Sequence, residues 1–482
     1  MKINATVYRY DPESGEEPCF RDYTVDVNEG ARVLNVLIAI KEQIDPTISF
    51  RYCCSAGQCG SCAVRVNGEP VLACMAEASD GMLVEPIKLP IIKDLVVDLQ
   101  SYLKDMPGLV PCGCPDLPTR EEIDRIKEVR DCIECLCCVS ECPAFDVTDF
   151  LGPMVMRQEM RLALDSRDKR DRIPETVKEG LFTCTSCHRC VEVCPKDIKI
   201  QGKAIEKLRE FANREGLTLP RHLEVAEFVR TQGKSVTKIK TSFLEQVPEY
   251  IKPYGDVKAE IGFFVGCMYD LRLPDTALDV IEVMKRNGIA LIIPKEQVCC
   301  GSPLIRTGQT SFLEELKKKN VECFEKRGIK IVMTMCAGCG ATLKNDYETP
   351  FRVMDINEVL NTYGITPPEK LDYRITYHDP CHLLRGQGIS KEPRKLIELF
   401  TDDFVEMPAR CCGSGGGVKS GLPDEAAELG RQRDEEIKKT GCDVVVSSCP
   451  FCEFHIQSCT DTPVKNIATM LLEGYRKKDS MA

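Results

Sequence analysis

Nothing in this sequence reads as a way across or onto a membrane. No stretch approaches the roughly 18 consecutive apolar residues of a spanning helix, and the opening MKINATVYRYDPESG has no apolar signal-peptide region. Positive charge is in deficit, with 64 Lys and Arg against 75 Asp and Glu and a formal net charge of −11, which argues against nucleic acid or an anionic membrane as the main partner. Histidine is scarce, at five residues. A dinucleotide fingerprint is missing as well: the nearest approach, Gly413-Ser414-Gly415-Gly416-Gly417, runs into Val418 and Lys419. Gly233-Lys234-Ser235 lacks the upstream glycine of a phosphate loop. What the chain does have is cysteine, 30 in 482 residues, in a chain far longer than the small secreted scaffolds that disulfides staple. A cytosolic, reduced-thiol protein that holds metal clusters is the expectation, with about three domains for the length.

The cysteines divide the chain. Residues 1–105 read as strands with one helix: KINATVYRY, YTVDV, the amphipathic ARVLNVLIAIKEQI, then AVRVNG and PVLACMA about a turn at Asn67-Gly68. Within this α+β layout, a β-grasp type, lies Cys54-x4-Cys59-x2-Cys62-x11-Cys74, with Gly57 and Gly60 in the loop. The first three positions follow the plant-type spacing of a [2Fe-2S] cluster, whereas structural zinc sites usually pair two short Cys-x2-Cys knuckles. Cys53 is one residue out of register. Residues 106–215 are helix-rich and carry Cys132-x2-Cys135-x2-Cys138-x3-Cys142-Pro143 and Cys184-x2-Cys187-x2-Cys190-x3-Cys194-Pro195, which superimpose at a single offset of 52. The offset sets Cys137 against Arg189, so Cys137 is not expected to be a ligand. In this bacterial-ferredoxin pattern each [4Fe-4S] cluster takes three cysteines of one run and the fourth of the other: Cys132, Cys135, Cys138 and Cys194 for one, Cys142, Cys184, Cys187 and Cys190 for the other.

Residues 216–257 read as a connector without cysteine. Residues 258–482 form a second duplication, units 258–370 and 371–482, in which Cys267, Cys299-Cys300-Gly301 and Cys336-x2-Cys339 recur as Cys381, Cys411-Cys412-Gly413 and Cys449-x2-Cys452 at offsets of 114, 112 and 113. Each motif follows an apolar β-like run, such as IGFFVGC or DVVVSSC, and helical stretches intervene. Alternating strand and helix implies an α/β domain whose ligands gather at one end of the strands. Five thiols per unit exceed what one cubane or one zinc requires.

This spacing resembles the cysteine-rich CCG domain of the B subunit of heterodisulfide reductase, present twice. The resemblance implies a noncubane [4Fe-4S] cluster in each unit, on Cys267, Cys299, Cys300, Cys336 and Cys339 and on Cys381, Cys411, Cys412, Cys449 and Cys452, and chemistry on the disulfide of coenzyme M and coenzyme B. CCG domains elsewhere hold other centres, so a zinc or an ordinary cubane in one unit is the alternative. The first 200 residues or so, through CIECLCCVSECP, FLGPMVMRQEMRLALDSRD and CVEVCPK, resemble the iron-sulfur subunits of succinate dehydrogenase and fumarate reductase. Those typically lack a cysteine at the position of Cys187 and hold a [3Fe-4S] cluster; its presence here implies [4Fe-4S]. The fusion is similar to the iron-sulfur subunits of methanogen thiol:fumarate reductases. That implies oxidation of the coenzyme M and coenzyme B thiols at the C-terminal site and electron relay to a flavoprotein fumarate reductase subunit, which carries the FAD and reduces fumarate. Five histidines leave little material for a dicarboxylate site in this chain. The alternative is an electron-transfer subunit of a succinate dehydrogenase or glycolate oxidase type complex whose CCG domain docks a redox partner.

Both coenzymes are anionic, so Arg272, Arg306, Arg385, Arg410 and Lys419 are candidates for the entrance, and His378 and His382 for a hydrogen bond to cluster sulfur or a proton transfer. Eight cysteines stay unassigned: Cys19, Cys53, Cys112, Cys114, Cys137, Cys323, Cys442 and Cys459. A buried small apolar role is the expectation for most of them, and the Cys112-Gly113-Cys114 pair has no assigned role.

Overall fold

Alternating apolar residues in KINATVYR bury Ile3, Ala5 and Val7 on one face of strand β1 (Lys2–Arg9), and that face begins the core of the first of two units. The computed structural model describes residues 1–104, 106–111, 117–145 and 147–481. Cys112 and Cys114 lie outside the described residues. One unit comprises Met1–Leu181 with Arg189–Leu208, the other Phe182–His188 with Arg209–Ala482.

In the first unit β1 is joined by β2 (Cys19–Asp26), β3 (Ala63–Val66), β4 (Glu69–Leu72) and β5 (Met82–Glu85) in the order β2-β1-β5-β3-β4. The pair β1–β2 is antiparallel and β1–β5 parallel, and β3–β4 is the hairpin whose Asn67 and Gly68 both take positive φ, as a tight primed turn requires. The amphipathic stretch forms the helix Val33–Gln43 and buries Val33, Leu34, Val36, Leu37 and Ile40 in the same core. A short ribbon, β6 (Ile91–Lys93) with β7 (Val96–Val97), leads into helical chain. There the helix Arg120–Arg130 starts on a reciprocal cap between Thr119 and Glu122, and the helix Pro153–Ala163 is buried almost all round.

The second unit carries the duplication into its topology. Its first sheet holds β8 (Tyr250–Ile251), β9 (Ala259–Phe264), β10 (Ile289–Ile292), β11 (Ile331–Thr334) and β12 (Arg352–Asp355) in the order β12-β11-β9-β10-β8. Its second holds β13 (Ile375–His378), β14 (Phe404–Val405), β15 (Val444–Ser447) and β16 (Val464–Asn466) in the order β14-β13-β15-β16. Superimposing β9 to β12 on β13 to β16 reproduces the order, and every pair within these two quartets is parallel. Strands such as VVVS are buried on both faces, as parallel strands between helices must be. One continuous core takes side chains from both repeats, from Phe263 and Met333 to Tyr377 and Val446. Residues 216–257 contribute to it: β8 pairs antiparallel with β10, and Phe243 and Leu244 are buried in the core.

Candidate functional site

Cysteine loops of one backbone design recur along the chain. At Cys54, Cys132, Cys184, Cys299 and Cys411 the amide two residues further on donates to the cysteine Sγ at 3.4 Å, from Ala56, Glu134, Ser186, Gly301 and Gly413. Such a bend turns N–H groups toward sulfur, which favours the thiolate and therefore a metal ligand. It is made by residues in the left-handed region: Ser55 and Gly57 in the first loop, Glu134 and Leu136 in the second, Ser186 and His188 in the third. The offset of 52 that aligns the two ferredoxin-type runs also aligns their strained positions, Glu134 with Ser186 and Leu136 with His188. None of the described cysteines is in a disulfide.

In the first unit, Cys54 stands exposed at the loop tip, Cys59 is half-buried, and Cys62 and Cys74 are buried beneath. The Gln58 amide donates to Cys54 Sγ at 3.3 Å and the Gly57 amide to Cys74 Sγ at 3.3 Å. Hydrogen bonds from Ser61 and the surrounding backbone hold the Cys59 thiol down to about 6, while burial pushes Cys62 up to about 11. Gly60 abuts the next loop: a Cβ there would lie 2.5 Å from the Ile133 carbonyl oxygen and 3.0 Å from Cys135 Cα. Burial pushes Cys138 well up, as does the proximity of Cys135, Cys190, Cys132 and Cys194. Cys142 and Cys190 are also buried in this unit, whereas Cys184 and Cys187 fall in the second.

In the second unit all ten cysteines of the duplicated motifs line one cavity of about 290 Å³. Four are placed by strand ends, as parallel α/β sheets place ligands: β9 delivers Cys267, β11 Cys336, β13 Cys381 and β15 Cys449. Cys267 and Cys381 open the helices Cys267–Leu271 and Cys381–Gln387, and Cys336 and Cys449 occupy the position before Ala337–Asn345 and Pro450–Gln457. The two sets run in mirrored chains of neighbouring sulfurs. In the first, Cys267 adjoins Cys299, then Cys300, Cys339 and Cys336. In the second, Cys381 adjoins Cys411, then Cys412, Cys452 and Cys449, with Cys412 and Cys452 Sγ 3.6 Å apart. The chains meet at Cys336 and Cys449. Gly266, with φ +76, keeps a Cβ from approaching within 3.1 Å of Cys339 Sγ.

Two buried imidazoles and several basic side chains stand near the sulfurs. His378 Nδ1 accepts from Arg433 Nε at 3.0 Å, so the neutral ring carries its proton on Nε2, and a ring nitrogen of His378 forms a 4.8 Å group with Cys412 and Cys452 Sγ. Burial, aided by the Arg433 charge, holds His378 down at about 3, and that keeps the ring neutral beside the second set. His382 lines the cavity, is held down at about 4 by burial, and meets the His188 ring edge-on at 5.5 Å. Of the five basic candidates, Arg272, Arg306 and Lys419 line the cavity. Arg385 donates to the Ala409 carbonyl oxygen, and Arg410 pairs with Glu436.

Sequence reasoning passed over several lining residues. Thr185 comes from the ferredoxin-type run, Val225, Ser235 and Val236 from the connector, and Phe451 and Phe454 from the helix after Cys449. The two phenylalanines, three apart on a helix and both partly exposed, were the one signal available in CPFCEF. Among the unassigned cysteines, Cys137 and Cys323 are buried, Cys442 and Cys459 half-buried, and Cys19 and Cys53 exposed, so the buried apolar role fits only the first pair well.

The donor set fits iron-sulfur centres: thiols without disulfides, backbone N–H groups aimed at sulfur, and glycines that clear room beside them. Residues 4–104 match the family described as a 2Fe-2S iron-sulfur cluster binding domain, 128–198 a 4Fe-4S dicluster domain, and 261–344 and 375–457 a cysteine-rich domain. The chain is 41% identical to the B subunit of fumarate reductase (CoM/CoB) of Methanothermobacter marburgensis, over 98% of this chain and 99% of that one. It is 31% identical to the D subunit of dihydromethanophenazine:CoB-CoM heterodisulfide reductase of Methanosarcina barkeri, over 70% of this chain and 90% of that one. A third relative, the fumarate reductase iron-sulfur subunit of Mycobacterium tuberculosis, is 35% identical over 43% of this chain and 92% of its own length. No described helix is long and apolar enough to cross a membrane. The chain is thus an iron-sulfur electron-transfer subunit of an oxidoreductase and belongs to the family of the fumarate reductase (CoM/CoB) B subunit.

Proposed function

We propose that this chain oxidises the thiols of coenzyme M and coenzyme B to their mixed disulfide in the ten-cysteine cavity and relays the electrons to a flavoprotein subunit that reduces fumarate to succinate. The observation that carries the reading is the meeting of two five-cysteine sets at Cys336 and Cys449 inside one cavity. Bound clusters would supply one-electron storage and transfer: a [2Fe-2S] centre on Cys54, Cys59, Cys62 and Cys74, two [4Fe-4S] centres on the ferredoxin-type runs in the ligand sets given above, and a noncubane [4Fe-4S] centre on each five-cysteine set. The chain's own residues do the rest. Arg272, Arg306 and Lys419 attract the sulfonate and phosphate ends of the coenzymes. Phe451, Phe454 and Val236 exclude water from the sulfurs, so that the two thiols couple where Cys336 and Cys449 face each other. His378 lies beside Cys412 and Cys452, and its buried Nε2–H, which has no hydrogen-bond partner among the described residues, would offer a bound centre a hydrogen bond. The exposed Cys54, with Tyr52 and Met75 also exposed, marks the face the flavoprotein approaches.

The deciding experiment is fumarate reduction by the coexpressed pair with the two coenzyme thiols as sole donors, together with an iron count. Turnover and about 18 irons per chain are expected. A complex that reduces fumarate with a reduced dye but never with the thiols, or that holds about 10 irons plus zinc, sinks the proposal.

A further inference from the structure

Arg209 is fully buried, and its guanidinium joins three segments that carry or follow cysteine motifs. Its Nη1 donates to the carbonyl oxygens of Arg306 at 2.6 Å and Gly416 at 2.9 Å, and its Nη2 to that of Cys184 at 2.7 Å. The group also lies over the Phe182 ring, 5.5 Å from its centroid. Arg306 belongs to the helix after the first Cys-Cys pair and Gly416 to the loop after the second, while Cys184 opens the second ferredoxin-type run. A planar fork of donors suits such a three-way tie better than a point charge does.

The approach around this tie is close. A Cβ on Gly308 would lie 2.3 Å from the Arg209 carbonyl group, one on Gly416 2.2 Å from the Cys184 oxygen, and one on Gly415 2.5 Å from the Thr185 oxygen. The segment held in this way brings Cys187 into a buried cluster with Cys381 and Cys411. The Cys411 thiol hydrogen-bonds Thr185 Oγ1 at 3.4 Å, and His188 meets His382. In the first repeat the residues corresponding to Gly415 and Gly416 are Pro303 and Leu304. The loop that admits the segment belongs to the second repeat.

We propose that Arg209 is a positioning residue for electron handover: by fixing the segment Cys184–His188 it sets the gap between the second five-cysteine set and Cys187, and electrons leave the cavity from that set. The identity of the electron donor rests on the function proposed above; the junction itself does not. In the step, two thiols lose two protons and two electrons as one S–S bond forms. The electrons would pass singly between the centre that Cys381 and Cys411 would help to hold and the one that Cys187 would help to hold, and a dicarboxylate in the flavoprotein partner takes up two electrons and two protons.

The test uses the full chain, iron-loaded and assembled with its flavoprotein, as wild type, Arg209→Gln, Arg209→Lys and Gly308→Ala, the last crowding the Arg209 backbone from a second side. Iron content, the spectrum of each centre and dye-driven fumarate reduction should match wild type in the Arg209 variants, and Gly308→Ala is compared per loaded centre. Thiol-driven reduction of the ferredoxin-type centres should slow several-fold, with Arg209→Lys nearest wild type. A thiol-free readout accompanies it: in dithionite-reduced protein, pulsed EPR should find weaker magnetic coupling between a ferredoxin-type centre and the second-set centre in Arg209→Gln and Gly308→Ala. Wild-type coupling and handover in both loaded variants overturn the proposal, and so does iron loss in both with unchanged handover per loaded centre. Weakened coupling in a protein that no thiol ever reduces leaves the junction standing and sinks the substrate reading.

Discussion

The two repeats of the second unit have the same strand order, the same chain of five sulfurs and the same positive-φ glycine after the paired cysteines, Gly301 and Gly413. They differ in what surrounds those sulfurs. After its paired cysteines the first repeat packs Pro303 and a fully buried Leu304, where the second has Gly415 and Gly416 against the backbone of Cys184 and Thr185. After its second cysteine pair the first repeat has Gly340, where the second has Glu453. At the end of its fourth strand the first repeat has Asp355, where the second has Asn466. The two repeats thus share the cysteine frame and differ in what packs on it: Leu304 of the first clusters with Ala226 and Val229 of the connector, whereas the glycines of the second admit the backbone of Cys184 and Thr185.

The largest effect should come from making the second loop like the first. Gly416→Leu forces a side chain into a position with φ +65 whose Cβ already meets the Cys184 oxygen at 2.2 Å. Backbone strain and overpacking together should cost at least about 3 kcal/mol and release iron from the second set. The reverse change, Leu304→Ala in the first repeat, removes a buried side chain and should cost about 2–5 kcal/mol of stability, yet leave the segment Cys184–His188 in place. Anaerobic thermal unfolding with an iron count separates the two. Equal iron loss in both variants would erase the proposed asymmetry.

A smaller effect is expected at Glu453. This buried carboxyl accepts from Tyr269 Oη at 2.7 Å and from Asn466 Nδ2 at 2.6 Å, and so ties a first-repeat side chain to the second repeat. Burial pushes it up to about 7. Glu453→Ala strands two buried donors, at about 1–3 kcal/mol, whereas Glu453→Gln keeps an acceptor for Tyr269 and should lose less. Denaturant midpoints that rank the two variants the other way would show that the contact contributes little.

Much of this arrangement could be read from spacing. All six apolar runs preceding the CCG motifs are strands, the offset of 52 recurs as positive φ at matching positions, and the offsets of 112 to 114 recur as the same strand order. Local chemistry writes such features: a loop that bends around sulfur needs its cysteines and its left-handed residues at fixed intervals. The edge strands β8, β12 and β16 gave weaker signals because two to four residues carry little periodicity. The roles of Thr185, Cys187 and Arg209 beside the cavity had no signal at all. Each sits in a motif or helix that is complete in itself, and only tertiary folding brings them to residues about 200 positions later, such as Cys411 and Gly416. Lining residues from the connector were missed for the same reason: Val225 and Val236 are ordinary apolar residues until β8 and its flanking helix pack on the first sheet.

The most delicate difference between the repeats is electrostatic. Asp355 and Asn466 play one structural part: each ends a fourth strand and accepts the amide two residues on, from Asn357 and from Ala468, at 2.9 Å. Asn466 also donates to Glu453, so the second repeat keeps its acid on the neighbouring helix Pro450–Gln457. The first repeat has glycine there and keeps the acid at Asp355, whose Oδ2 has no hydrogen-bond partner among the described residues. Burial pushes Asp355 up to about 7, against the hydrogen bonds from Asn357 and the charge of Lys344, while Glu358 pushes the same way as burial. An acid whose pKa is higher when folded holds a proton that the unfolded chain has released. Stability therefore falls as pH rises from about 4 through 7, and the penalty is complete above that. Asp355→Asn keeps the oxygen that caps the helix and removes the charge, so it should gain on wild type by more than about 1 kcal/mol between pH 5 and pH 8. Anaerobic urea midpoints at the two pH values measure this directly. A variant no better relative to wild type at pH 8 than at pH 5 would mean that water or a neighbouring group solvates Oδ2, and that the two repeats are electrostatically alike after all.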